Sequence, residues 1–240
     1  MTELAWSQCG PATCIACDSL RHVEWRLLAP LSEADRDGVL KATRLRRYAR
    51  NEVVFHEEDP GDCLHLVKDG RLGVQVGLDS GESLTLSVLS PGDAFGELAV
   101  LGKPHRRTAT VVAWEPAETL SLTGAAFTAL CRDNPRIERL VLTLLAERVD
   151  ELSRRLIEAL YVDVDRRVCR RLAELCEIYG QGVPGTVIPL SQDEIAGLAG
   201  TSRPSVNQVI QRLAAERLLT AARRHIVVLR PDELRRQARR

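Results

Sequence analysis

Three groups of residues have the types and spacings to carry chemistry. The first is the run Ser202-Arg203-Pro204-Ser205-Val206-Asn207-Gln208. In a DNA major groove arginine reads guanine and asparagine or glutamine reads adenine, each through two hydrogen bonds. Serine hydroxyls suit phosphate oxygens. The second group is Phe95-Gly96-Glu97-Leu98-Ala99, followed by Arg106-Arg107-Thr108-Ala109. A buried phosphodiester needs a fixed cation and several N–H or hydroxyl donors. A ribose hydroxyl needs an acceptor such as a carboxylate, and a glycine lets backbone approach closely. The stretch supplies all of these. The third group is Cys9, Cys14 and Cys17. Thiolates this close can hold zinc or an iron–sulfur cluster. Thiol redox or nitric oxide sensing, and no ligand role at all, are the other readings. Cys63 is a candidate fourth ligand, although nothing in the sequence brings it close to the trio.

Elements with recognisable signals position these groups. Ser191-Gln192-Asp193-Glu194 is a capping box, in which Ser191 caps and Glu194 reaches back. The helix it opens ends at Gly200, and Thr201-Ser202 starts a second helix with Pro204 in its first turn, where proline is tolerated. TAARRHIVVLR follows as a two-stranded wing. Helix, glycine turn, helix is a helix-turn-helix pattern, and the polar start of its second helix is the DNA-reading surface. A solvated helix face is the bland alternative. The joint occurrence of capping box, turn, polar start and wing, in that order, favours the reader, with Ser191, Thr201 and Arg212 as further contacts.

From about Arg44 to Thr123, short β-rich runs alternate with turn chemistry: DPGD, DSGE and PGD, with Asp69-Gly70 between two apolar runs as a hairpin signal. This spacing predicts an antiparallel β-roll or barrel. Ser32 is a candidate N-cap for a short helix before it. After Asn134-Pro135 a helix is predicted from Arg136 to about Tyr161, roughly 39 Å long. Leu142, Leu145, Val149, Leu152, Leu156 and Ala159 alternate by three and four residues, as an a/d seam does. Packing onto its own barrel is one explanation, and a two-stranded coiled coil between subunits is the preferred one. Cys131, Cys169 and Cys176 sit in helical patterns and read as core.

The chain has 240 residues, 33 basic and 33 acidic, for a net charge of zero. Residues 164–240 hold 14 arginines and 8 acidic residues, a charge of +6, which leaves −6 on the rest. Such asymmetry points to two domains with different partners, and the basic one supplies nonspecific attraction to DNA. No apolar run reaches the ~18 residues a membrane span needs. The N-terminus shows no secretory pattern, and seven cysteines are not a disulfide framework. A cytoplasmic chain is expected. No nucleophile–base pair, metal triad or Gly-rich nucleotide loop suggests an enzyme.

IPLSQDEIAGLAGTSRPSVNQVIQRL resembles the winged helix-turn-helix of the CRP/FNR superfamily of transcription regulators. The rest follows that family's order over roughly residues 25–230. The fold this implies is α+β: an N-terminal antiparallel β-roll (double-stranded β-helix), a long dimerisation helix and a C-terminal winged helix-turn-helix. The corresponding segments are a Cys-containing lead at 1–24, a sensor at 25–134, a dimer helix at 135–163 and a DNA-binding domain at 164–240. By resemblance Arg203 reads guanine. Pro204 and Gln208 stand where the family often has Glu and Arg, so the operator need not be the family's usual half-site. The Gly96–Ala99 and Arg106–Ala109 stretches are similar to the phosphate-binding cassette of cyclic-nucleotide-binding domains. That likeness gives Glu97 the ribose 2′-hydroxyl and Arg107 and Thr108 the cyclic phosphate, with Gly96 and Leu98 beside them. Leu152 and Ser153 match two hydroxyl positions that face the purine in cAMP-binding members; Ser153 fits and Leu152 does not. The clustered cysteines partly resemble those of oxygen-sensing members. The resemblance implies a homodimer on a palindromic double-stranded DNA operator, with RNA polymerase as a partner and no membrane. Two sensor readings compete, a cyclic nucleotide such as cAMP and an iron–sulfur or thiol sensor at the Cys trio. The nucleotide leads, because its motif match is closer. A cyclic-nucleotide-binding module acting on a protein partner is the reading from another class.

Overall fold

Two antiparallel four-stranded sheets are built mostly from the first of two units. The computed structural model describes residues 23–78, 81, 83–103 and 105–239. The first unit holds the described residues up to Val76 together with Ser87–Arg148, and the second holds Gly77–Leu86 with Val149–Arg240.

In the first unit a 3-10 turn at Arg26–Leu28 leads to helix α1 (Glu33–Lys41), whose N-cap Ser32 accepts from the Asp35 N–H. Strands β1 (Arg44–Tyr48), β2 (Val53–Phe55), β3 (Cys63–Asp69), β4 (Leu72–Gly77), β5 (Ser83–Leu89) and β6 (Ala94–Phe95) follow. Helix α2 (Glu97–Leu101), strands β7 (Thr110–Ala113) and β8 (Ala117–Thr123), and helix α3 (Gly124–Asp133) complete it. One sheet has the order β1-β8-β3-β6 and the other β2-β7-β4-β5. Successive side chains of a strand point to opposite faces. In β3, Leu64 and Leu66 therefore join Leu120, Leu122, Phe127, Ile137 and Val141 in a hydrophobic cluster. Cys63 and His65 take the other face, where His65 stacks on Phe95 with ring centroids 5.0 Å apart.

Asp69-Gly70 does not make the expected hairpin, because β3 and β4 belong to different sheets. Gly70 has φ +76, and a Cβ there would lie 2.4 Å from the Pro116 carbonyl oxygen. The turn carries the chain from one sheet to the other, a path that its Asp-Gly sequence serves as well as a hairpin.

Helix α4 (Pro135–Tyr161) starts at a proline and runs through both units. Its first turns pack on the first unit. Ile137 and Val141 are buried there, and Leu145 is partly covered by the same cluster. These three residues are four apart and share a face. Leu145, expected on the seam, thus faces its own unit. Leu142, Val149, Leu152 and Leu156 are instead 43–63% exposed, and Ile157, Leu160 and Tyr161 widen the stripe.

The second unit is built on helix α5 (Val164–Gly180), with Val168, Cys169, Leu172, Leu175 and Cys176 buried along one stripe. Strand β9 (Thr186–Ile188), helix α6 (Gln192–Ala199), helix α7 (Arg203–Ala215), strands β10 (Leu219–Ala222) and β11 (His225–Val228), and helix α8 (Pro231–Arg239) follow. The wing has three strands, not two, because β9 pairs with β11. No helix among the described residues is long and apolar enough to cross a membrane.

Candidate functional site

In the first unit, β6 delivers the chain to Gly96, which adopts φ +83 at the start of α2. A Cβ there would lie 2.5 Å from Arg107 Nη1, so only glycine leaves room for the guanidinium. Arg107 is 4% exposed. Its Nη1 donates to the carbonyls of Cys63 (2.8 Å) and Gly96 (3.1 Å), and its Nη2 reaches the Cys63 sulfur at 3.4 Å. The group lies 4.1 Å from the Phe55 ring centroid. Among the described residues its Nε is buried without a partner, and no carboxylate pairs with the group. Burying a cation without a counter-charge is costly. The guanidinium edge from Nε to Nη2, the one suited to grip two oxygens of an anion, is the less engaged edge.

Glu97 is the acceptor of the pair. Its Oε1 accepts from Arg148 Nη1 at 2.9 Å, while Oε2 is buried with no partner among the described residues. Arg148 lies on α4, fifty-one residues away in sequence. No motif flagged it, because the helix periodicity that places it reads only as amphipathic. Thr108 and Leu98 are exposed beside these groups, and Ser153 is exposed on the part of α4 that belongs to the second unit. The structure therefore brings together Gly96, Glu97 and Arg107 and adds Arg148, Phe55 and Cys63.

Burial pushes the Cys63 thiol up from its ordinary pKa, with Arg107 pulling the other way. His65, 5% exposed, is lowered to about 3, first by burial and then by the Arg107 charge. It is neutral at ordinary pH, and its Nδ1 is 3.1 Å from Thr119 Oγ1. Cys63 is thus held among the roll's own groups, 3.6 Å from His65 Nε2. Cys9, Cys14 and Cys17 lie outside the described residues. Among the described residues no group of three His, Cys, Asp or Glu could hold a metal ion.

The second unit presents α7. Val206, Val209, Ile210 and Leu213 are buried beneath it. Ser202 caps the helix by accepting from the Ser205 N–H. The Arg203 side chain is 66% exposed, and its nearest carboxylate, Asp193, is 3.7 Å away and equally exposed. Gln208 is exposed, and Asn207 Oδ1 accepts from Gln192 Nε2 at 3.1 Å. Thr201 is half-buried in the turn, its N–H bonded to the Ala196 carbonyl. Ser191 completes the capping box of α6 with Glu194. Arg212 is differently placed: it contacts Asp165, Glu216 and Gln237 within the unit. Arg224, which the sequence did not single out, ties the wing turn to Glu194 at 2.7 Å.

Residues 45–134 match the family model of the cyclic nucleotide-binding domain, and residues 166–237 match that of the Crp-like helix-turn-helix domain. The chain is 32% identical over 186 residues to the cyclic AMP receptor protein of Thermus thermophilus, covering 78% of this chain and 84% of that one. It is 28% identical over 195 residues to a CRP-like cAMP-activated global transcriptional regulator of Mycobacterium tuberculosis, covering 80% of this chain and 87% of that one. Among solved structures, the c-di-GMP-responsive global regulator of Xanthomonas campestris superposes with a TM-score of 0.72 at 24% identity, over 82% of this chain and 99% of that one. That last likeness is one of fold.

Proposed function

Since the chain belongs to the CRP/FNR superfamily of transcription regulators, which are not enzymes, we propose that it binds a palindromic operator as a homodimer under the control of a cyclic nucleotide such as cAMP. The observation that carries the effector reading is the buried Arg107, which among the described residues has no carboxylate partner and an unfilled Nε, in the same cassette as the Glu97 Oε2 that is likewise unfilled there. These are the donor and acceptor that a cyclic phosphate and a ribose hydroxyl require. Arg107, Thr108 and the Gly96–Leu98 backbone would hold the phosphate, and Glu97, oriented by Arg148, the ribose. Ser153 would face the base. Two relatives named for cyclic AMP support the choice of nucleotide.

Regulators of this family bind DNA and act as dimers. For this chain the dimer surface is the exposed stripe of α4. A monomeric soluble protein rarely leaves so many large apolar residues open along one helix face, and a two-stranded coiled coil covers them. We divide the chain into the lead at 1–24, the sensor at 25–134, the dimer helix at 135–163 and the DNA-binding domain at 164–240. Arg203, with Asn207 and Gln208, reads bases, and Ser191, Thr201, Ser202, Ser205 and Arg212 lie toward the DNA backbone. The partners are double-stranded DNA and RNA polymerase, in the cytoplasm.

The stripe gives a direct test. Leu156→Glu places a charge at its centre, 61% exposed in the single chain. Sedimentation should find a dimer for the parent chain and a monomer for the variant, with circular dichroism unchanged. Operator binding should fall with the dimer. A variant that stays dimeric would remove α4 as the interface.

A further inference from the structure

Helix α4 ends at Tyr161 and α5 begins at Val164, so only Val162 and Asp163 separate them. A two-residue break could bend in many directions. Here side chains cross it from both helices. Glu158, on the last turn of α4, accepts from Arg170 at 2.9 Å and from Arg171 on α5. Arg171 is 3% exposed and is held on its other side by Glu174 at 2.7 Å. Arg170 also donates from Nε to the Ala238 carbonyl of α8 at 2.9 Å. Arg167 joins three elements: it is on α5, and its Nη1 donates to the Ala159 carbonyl at the end of α4 (3.0 Å) while Nη2 donates to the Gly200 carbonyl (3.2 Å). Gly200 caps α6, and Ser202, two residues on, caps α7. One guanidinium thus ties the end of α4 to the turn that opens α7.

We propose that Glu158, Arg167, Arg170 and Arg171 are positioning residues for operator recognition. They clamp the break between α4 and α5, fix the angle of α7 to α4, and so set the half-site spacing that the dimer accepts. The proposal rests on the dimeric operator reading above. Its physical basis is that two recognition helices must meet half-sites about one helical turn apart. One added base pair rotates a half-site by about 35°, a misfit that a rigid clamp cannot absorb and a loose hinge can. The cluster also suits rigidity better than mere adhesion. A buried guanidinium between two carboxylates has few alternative positions, because moving it away from either leaves charge unpaired.

The experiment measures the affinity of the full-length chain, at fixed salt, for palindromes of one half-site whose spacer is shortened or lengthened by one and two base pairs. The parent chain should show a sharp optimum. Arg167→Ala should keep the half-site preference and the dimer mass, but its preference for the best spacer over the next should fall by roughly tenfold, the scale of a lost charge-assisted hydrogen bond. Arg167→Lys, which can reach one carbonyl, should lie between. Glu158→Gln should flatten the profile further, and the two Arg167 variants keep the test open if that change impairs folding. If the parent shows a sharp optimum and the Arg167 variants melt earlier with an unchanged spacing profile, the clamp is structural only and the proposal is overturned. A parent chain indifferent to spacing would overturn both the clamp and the dimeric operator reading beneath it.

Discussion

Arg203→Ala is expected to erase discrimination between the operator and random DNA. A bidentate arginine–guanine pair contributes about 1–3 kcal/mol of discrimination. A dimer makes the contact twice, so the loss is roughly 2–6 kcal/mol. The fold should not register the change. Arg203 opens α7 with its side chain 66% exposed, and among the described residues its only ion-pair contact is a loose one to Asp193. Exposed substitutions of this kind stay within about 0.5 kcal/mol of the parent. Competition binding with operator and random duplexes measures the first quantity and thermal denaturation the second. Specific binding that survives the substitution would mean that another residue reads the half-site. The residual, nonspecific affinity should remain steeply dependent on salt, because the basic unit still neutralises phosphates.

Arg107→Ala is expected to abolish stabilisation by a cyclic nucleotide. At a hundredfold excess over the dissociation constant, a ligand stabilises the folded state by about 2.7 kcal/mol. For a chain of this size that is a rise in melting temperature of roughly 5–10 °C. The variant should show none. Its melting temperature without ligand should also fall, since the Cys63 and Gly96 carbonyls lose their donor. Arg107→Lys separates the two effects. It keeps a cation in the site but lacks the two-pronged edge that grips two oxygens, so it should fold better than the alanine variant and still respond poorly. A nucleotide response that persists in Arg107→Ala would place the ligand elsewhere.

Much of this architecture can be read from local chemistry. The Ser191–Glu194 capping box, the left-handed Gly200 and the Ser202 cap lie where their residue types demand. Local hydrogen bonds decide helix ends, and such bonds leave marks a few residues apart. What was not legible depends on distance. The Asp69-Gly70 turn looks like a hairpin, and only the pairing of β3 with β8 and of β4 with β7 reveals a change of sheet. Strand β9 is three residues long and finds its partner β11 some forty residues on, so periodicity could not announce it. In the nucleotide cassette, Gly96, Glu97 and Arg107 stand out by type. Arg148 does not, because its role comes from the helix that carries it past Glu97. Arg212 carries contacts that its type does not announce: a basic residue on this helix suggests phosphate, and the structure adds Asp165, Glu216 and Gln237 as neighbours of its guanidinium. The zero net charge likewise conceals two opposite halves, whose separation at the end of α4 is visible as soon as the chain is divided there.

The proposed regulator binds its operator under the control of a cyclic nucleotide in the β-roll. Titrating the full-length dimer with a fluorescent palindromic operator, with and without saturating cAMP at fixed salt, tests that control most directly. Coupling of two sites through a conformational equilibrium changes affinity by about 5- to 150-fold, and by linkage the operator must tighten nucleotide binding by the same factor. Affinity should rise by that order with cAMP or another cyclic nucleotide, and should not rise in Arg107→Ala. Identical operator affinity with and without every cyclic nucleotide tried would contradict that control.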